Sequence, residues 1–134
     1  MKSTFDILDK LYKIINVSGV TSTLDGRVYR DKKPLNDEKR NVVIVPLPIR
    51  NGDGFDVQPG TVVINCYAAN LSNGMPDTIN LDAMTSAVIA AIENYNDATS
   101  DYFRLQIISQ NTMQDQDNNK MSYSSLRINI LIEN

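Results

Sequence analysis

Two β-branched runs separated by a loop rich in glycine and proline constrain the fold more than any other feature. Residues 41–48 are NVVIVPLP and residues 61–69 are TVVINCYAA, and β-branched side chains favour a pleated strand over a helix. Residues 50–60, RNGDGFDVQPG, have the composition of a turn. These segments predict a β-hairpin whose long loop forms an arm that projects beyond the core.

Two prolines limit where the first of these strands can end. Proline has no backbone N–H group to donate to a neighbouring strand. We therefore expect the end of this strand, at Pro46 and Pro48, to lie at a sheet edge, at a bulge or outside the sheet.

Apolar side chains recur at helical spacing in two further segments, which predicts two amphipathic helices. The first helix follows a cap at Ser3 or Thr4 and ends at Gly19; its stripe is Phe5, Leu8, Leu11, Tyr12 and Ile15. The second helix follows a cap at Asp77 or Asn80; its stripe is Leu81, Met84, Val88, Ile92 and Tyr95.

The remaining segments predict three more strands. Val28 and Tyr29 form a short one, and residues 102–109 and 122–132 alternate apolar and polar side chains as half-buried strands do. The polar residues between the last two strands form a turn or extend that hairpin. The chain is therefore predicted as one α+β domain, residues 1–134, with a mixed or mainly antiparallel sheet, two helices on one face and a projecting hairpin arm.

Composition excludes several classes of partner. Thirteen basic and sixteen acidic residues give a net charge of −3, and acidic residues interrupt the only basic stretch, residues 27–40, so we expect a solvated loop there and no specific nucleic-acid ligand. No apolar run approaches the roughly 18 residues that a membrane span needs, so we expect a soluble chain. A single cysteine allows no intrachain disulfide, which fits a reducing compartment.

No constellation of residues predicts a catalytic, cofactor or metal site. Histidine is absent, and Cys66 lies in an apolar strand, where a buried small side chain is expected. Asp115 and Asp117 have the alternate spacing of a calcium loop, but Lys120 stands where glycine is needed and Leu126 where glutamate is needed. Asp53 and Asp56 have no supporting carboxylate, and nucleotide-binding and hydrolase motifs are missing, so the acidic loops are interpreted as solvated turns.

The order of these elements resembles that of the tail terminator proteins of long-tailed phages and of related head-tail joining (neck) subunits. The resemblance rests on VVIVPLPIRNGDGFDVQPGTVVINCYA, DTINLDAMTSAVIAAIENY and YSSLRINILIEN. Gly26, Tyr29 and Pro34 fit the turn that precedes the first long strand in that family. The charged insert between Tyr29 and Asn41 is longer than the family pattern.

The resemblance implies a non-enzymatic virion protein that forms a ring, usually of six subunits, on the tail tube and offers a surface to the head connector. DNA would pass through the ring without specific binding. Residues 41–69 would form the arm that reaches a neighbouring subunit. The interface residues expected on this arm are Val43, Val45, Leu47, Ile49, Phe55, Val57, Val62 and Ile64.

Three alternatives stay open from the sequence. A head completion or tail tube protein would also form a ring through the same arm. A small cytoplasmic binding domain would instead present a ligand pocket and fold as a stable monomer. An enzyme would depend on carboxylates such as Asp115 and Asp117, or Asp53 and Asp56, with a recruited metal ion.

Overall fold

The structure is a computed structural model that describes residues 4–47, 57–98 and 103–133. Its elements, in chain order, are α1 (Thr4–Ile15), α2 (Ser18–Thr21), β1 (Val28–Arg30), β2 (Asn41–Pro46), β3 (Val57–Ala69), α3 (Thr78–Ala98), β4 (Phe103–Gln114) and β5 (Met121–Glu133). The five strands form one sheet in the order β1-β2-β3-β5-β4. The predicted α+β class is confirmed.

The sheet is mixed because its first two strands are parallel while all other pairs are antiparallel. β3 and β5 pair along their entire lengths, from Val57 opposite Glu133 to Ala69 opposite Met121. β2 joins β3 over six residues only. The central strand of the sheet is therefore β3, which pairs with β5 on one side and with β2, its partner in the predicted hairpin, on the other.

Both long helices pack on one face of the sheet, which we name the inner face. Alternate residues of β3 point into this core, as the two-residue period of a strand requires: Val62, Ile64, Cys66 and Ala68. From α3 the buried residues include Leu81, Met84, Val88 and Ile92, which confirms the predicted stripe. Full burial of each large aliphatic side chain contributes about 1.5–3 kcal/mol to folding.

The buried stripe of the first helix differs from its prediction at Phe5. Phe5, expected in the buried stripe, is 76% exposed, whereas Ile7 is completely buried. The buried side is centred on Ile7, Leu8, Leu11 and Ile15, so the stripe is rotated away from Phe5. An exposed phenylalanine is an apolar contact surface that the fold itself does not use.

The predicted helix ends are correct at one site and wrong at another. Asp77 caps α3, since its Oδ1 accepts a hydrogen bond from the N–H of Asn80 at 3.2 Å. Gly19 does not end α1, which stops at Ile15; instead Gly19 lies within the short helix α2. Within the described ranges, no helix combines the length and hydrophobicity that a membrane span requires.

Pro46 is the last residue of β2, as the constraint on proline predicted. The N–H of Val42 points toward β1, where it donates to the carbonyl of Arg27 at 3.0 Å, and the N–H of Leu47 points toward β3. Position 46 therefore faces the β1 side, and β1 has already ended with Arg30 opposite Ile44. The missing N–H costs the sheet no hydrogen bond. Pro48 lies outside the described residues.

Two strands are longer than predicted. β3 begins at Val57, so residues 57–60, interpreted as part of a turn, pair with the end of β5. β4 continues to Gln114, and the polar residues after Ser109 therefore extend the last hairpin. A bulge between Ile107 and Ser109 shifts the register of β4 against β5.

Candidate subunit interfaces

The predicted arm residues fall on two opposite faces of the sheet. Val43 stands opposite Asn65 and Ile44 opposite Ile64, so Val43 and Ile64 point in opposite directions. Ile64 and Val62 lie in the inner-face core. Both side chains hold the base of the arm in its own sheet and have no free surface for a neighbour. The sequence pattern could not reveal this because it does not fix the register.

The other predicted arm residues divide into three groups. Val43 is only 2% exposed, while Val45 and Leu47 are half-buried. The backbone of Val57 lies in β3. Ile49 and Phe55 lie outside the described residues. Among the predicted arm residues whose side chains the structure describes, Val45 and Leu47 are thus the ones left with surface for a neighbour, and their contact with one stays a prediction.

The loop between β1 and β2 crosses the outer face of the sheet, opposite the helices, and explains the burial of Val43. A cavity of about 270 Å³ lies between this loop and the strands, lined by residues that include Lys33, Val43 and Tyr67. The ammonium of Lys33 lies 5.0 Å from the centre of the Tyr67 ring and donates to the carbonyl of Asp37 at 3.2 Å. The predicted solvated loop therefore has anchoring points on the sheet.

Tyr67, which lines this cavity, is a titratable group with a shifted pKa. Burial, and then the nearby carboxylate of Asp115, raise the pKa of Tyr67 to about 12. Its ring lies 4.9 Å from that of Tyr123 on β5. A phenol that keeps its proton throughout the neutral range can donate a hydrogen bond but cannot act as a general base there.

The acidic turn between β4 and β5 is only partly solvated. Asp115 is 8% exposed, contrary to the prediction of a solvated turn, and its Oδ1 accepts a hydrogen bond from the N–H of Asp117 at 3.0 Å. This carboxylate holds the turn in shape. Across residues 4–47, 57–98 and 103–133, no three cysteines or carboxylates come close enough to hold a metal ion.

Cys66 is buried, as predicted. Burial raises the pKa of its thiol to about 12, against a smaller opposing effect of a hydrogen bond with Thr85. A thiol with this pKa stays protonated at neutral pH and is a poor nucleophile. The only cysteine of the chain therefore acts as a core residue.

A groove lies between α1 and α3. Its volume is about 700 Å³, and its lining is mainly apolar: Ile14, Val17, Ala87, Ala90, Ala91 and Tyr95. Its polar lining residues include Lys13 and Asn94. Small alanine side chains on α3 leave this space open. We name it the helix groove.

The first half of the edge strand β4 is covered by side chains from the end of α3. Asn96 bonds to both backbone groups of Leu105: its Nδ2 donates to the carbonyl at 2.7 Å, and its Oδ1 accepts from the N–H at 3.2 Å. The hydroxyl of Tyr95 donates to the carbonyl of Phe103 at 2.9 Å. These side chains replace a neighbouring strand over residues 103–105.

The second half of β4 has no such cover. Asp115 donates its N–H to Met121 on β5 at 3.0 Å, so the alternation of a strand directs the backbone groups of Gln114, Thr112 and Gln110 away from β5. Within the described residues, no other group bonds to these outward N–H and C=O groups. We name this segment, residues 110–114, the open edge.

The opposite edge of the sheet is short and charged. β1 has three residues, with Arg27 before it and Arg30 at its end. The carbonyl of Arg30 accepts from the N–H of Lys32 at 2.9 Å, and its guanidinium pairs with Asp9. Short length and charge are the usual protection of an exposed sheet edge, and β1 has both.

One comparison finds a similar fold. No family model and no curated protein matches the chain. A chain in a solved structure described as the virion of a native gene transfer agent particle has a TM-score of 0.59 and 12% sequence identity, and the match covers 92% of each chain. At this identity the likeness shows a shared fold across nearly the whole length of both chains.

Proposed function

We propose that this chain is a non-enzymatic structural protein of a virion. The observation that carries the proposal is the fold shared with a chain of a gene transfer agent virion over 92% of both chains. Subunits of such particles act by contacting other subunits. The open edge, the helix groove and the exposed Phe5 are surfaces suited to such contacts.

Within this class we propose a ring-forming tail terminator or neck subunit that caps the tail tube and joins it to the head connector. The same order of elements in the sequence supports this role. A ring of six closes through a head-to-tail contact, in which one subunit offers a surface different from the one it receives. The arm of residues 41–69, with the half-buried Val45 and Leu47 at its base, is the element we assign to that contact.

The net charge of −3 suits a ring around a DNA channel. Like charges repel the phosphate backbone, so the duplex would pass through without being held. The partners that we propose from the terminator or neck role are further copies of this chain, the tail tube protein and the head connector.

Two related structural roles use the same surfaces. A head completion protein would also form a ring, and a tail tube protein would stack its rings into filaments. Negative-stain electron microscopy of the purified chain separates these roles. Single closed rings support the terminator or neck role, long tubes support the tube role, and particles without any ring symmetry contradict the ring proposal.

The helix groove favours a second candidate function, a small ligand-binding domain. Its apolar lining and volume of about 700 Å³ match those of small-molecule sites. A fluorescent apolar probe such as anilinonaphthalene sulfonate tests this function. Saturable binding to a monomer, lost when Ala90→Trp fills the groove but kept in the exposed control Ala98→Trp, would support it. Equal weak binding to both variants would exclude it.

A further inference from the structure

We propose that β4 is a self-complementary edge at which two copies of the chain pair, strand against antiparallel strand, through residues 110–114. The contact would continue the five-stranded sheet of one copy into that of the other. It goes beyond the proposed ring, because a contact between identical strands has twofold symmetry and cannot close a head-to-tail ring.

The outward backbone groups of the open edge specify the kind of partner. Gln110, Thr112 and Gln114 each direct one N–H donor and one C=O acceptor away from β5 at alternate positions. Only another extended strand offers acceptors and donors at this repeat. The contrast with Leu105 is informative, since there Asn96 already satisfies both groups.

The absence of charge on this strand lets a second copy of it be the partner. Residues 105–114, LQIISQNTMQ, contain no charged side chain, whereas exposed edges are usually protected by lysine, other charges or proline. Two identical uncharged strands can approach without repulsion. The other edge of the sheet offers no alternative, because β1 is short. The backbone N–H and C=O groups of Val28 face away from β2, but the charged residues Arg27 and Arg30 flank them.

A register centred on Thr112 satisfies the most groups. It places Thr112 opposite Thr112 of the second copy and Gln110 opposite Gln114, so all three outward residues of each strand exchange hydrogen bonds. On the outer face, Asn111 of one copy then stands opposite Met113 of the other. The side chain of Met113 is 42% exposed in the single chain. A contact of this size is small, so we expect weak, concentration-dependent pairing.

Crosslinking through one introduced cysteine tests the twofold geometry. Thr112→Cys places two thiols near the symmetry axis, and a short bismaleimide should join them into dimers. The native Cys66 is buried and protonated, so it does not compete. Glu93→Cys, on an exposed position of α3 outside the helix groove, is the control. Dimers from Thr112→Cys at a yield at least tenfold above the control support the proposal; equal yields overturn it.

A proline at the same position tests the hydrogen bonds. The N–H of Thr112 points away from β5, so Thr112→Pro removes a donor that the sheet itself does not use. Thr112→Val keeps the N–H and is the matched control. Sedimentation equilibrium should show dimer formation in the wild type and in Thr112→Val, weakened at least tenfold in Thr112→Pro. Dimerisation unchanged by proline contradicts the proposal.

A replacement variant and a comparison with microscopy separate the β4 proposal from the ring proposal. Should Thr112→Pro fail to fold, as judged by thermal melting, Thr112→Lys blocks the edge by charge repulsion and replaces it in the test. Rings seen by microscopy without crosslinked dimers would overturn the β4 proposal and leave the ring proposal standing. Dimers without rings would do the reverse.

Discussion

Asn96 holds Leu105 as a neighbouring strand would, with one bond to its carbonyl and one to its N–H. The relationship ties the end of α3 to the start of β4, and the carbonyl of Asn96 also accepts from the guanidinium of Arg104 at 2.9 Å. Asn96 therefore covers the first half of the edge strand β4, and residues 110–114 in the second half stay open. The open edge is thus the part of β4 at which we propose that another copy of the chain pairs.

The first prediction concerns the stability that this clamp provides. Asn96→Ala removes both bonds and leaves the backbone groups of Leu105 to find water at a half-buried site. We expect the free energy of unfolding, measured with urea, to fall by about 1–3 kcal/mol. Asn94→Ala, on the exposed side of the same helix, should change it by less than about 0.5 kcal/mol. Equal effects of the two substitutions would contradict the role assigned to Asn96.

The second prediction concerns the close approach of Gly26 to β2. A Cβ atom at Gly26 would lie 1.8 Å from Oδ1 of Asn41, and this buried oxygen accepts the N–H of Arg27 at 2.8 Å. Gly26→Ala should therefore lower the free energy of unfolding by about 1–3 kcal/mol through overpacking.

Gly19 provides the control for this substitution. Nothing lies within 4 Å of a Cβ atom built there, so Gly19→Ala in α2 should be neutral or slightly stabilising. Both variants can be compared by thermal melting at one protein concentration. A Gly26→Ala variant as stable as Gly19→Ala would refute the packing described around Asn41.

The third prediction is a loss of stability at alkaline pH. The pKa of Tyr67 is raised to about 12, so from pH 10 upward the unfolded chain releases a proton that the folded chain retains. The stability that depends on the neutral phenol is therefore complete below pH 10 and is lost as the pH rises toward 12. Tyr67→Phe should reduce the slope of stability against pH in this window. Tyr123→Phe is the comparison, and an unchanged slope in Tyr67→Phe would contradict the assignment.

The fourth prediction concerns the tip of the arm. Residues 57–60 pair with β5, so they must be kept in any test. Replacing residues 51–55 by glycine and serine of equal number should leave the thermal melting of the chain nearly unchanged and abolish ring formation seen by microscopy. The control replaces residues 71–75, in the loop between β3 and α3, in the same way. Rings that survive the change at 51–55 would remove the arm from the proposed contact.

Local patterns predicted most of the elements. The β-branched runs predicted β2 and β3, and the apolar spacing of Leu81, Met84, Val88 and Ile92 predicted the buried side of α3. The constraint on proline correctly predicted that the end of this strand lies at a sheet edge, since β1 no longer runs beside Pro46. Each of these inferences depends on neighbours a few residues away, which the sequence shows directly.

Features that depend on distant pairing could not be predicted. The pairing of β3 with β5 along thirteen residues determines that residues 57–60 are strand, although their composition is that of a turn. The loop over the outer face buries Val43, and the register sends Ile64 inward. The open edge follows from where Asn96 meets Leu105, and no local pattern of either residue indicates that contact.

The native mass of the purified chain tests the central claim, that this protein assembles into a closed ring. Light scattering behind size exclusion, over a range of concentration and salt, should give a discrete mass of six copies, or of twelve where two rings pair through β4. A monomer or a dimer at every concentration would contradict the ring.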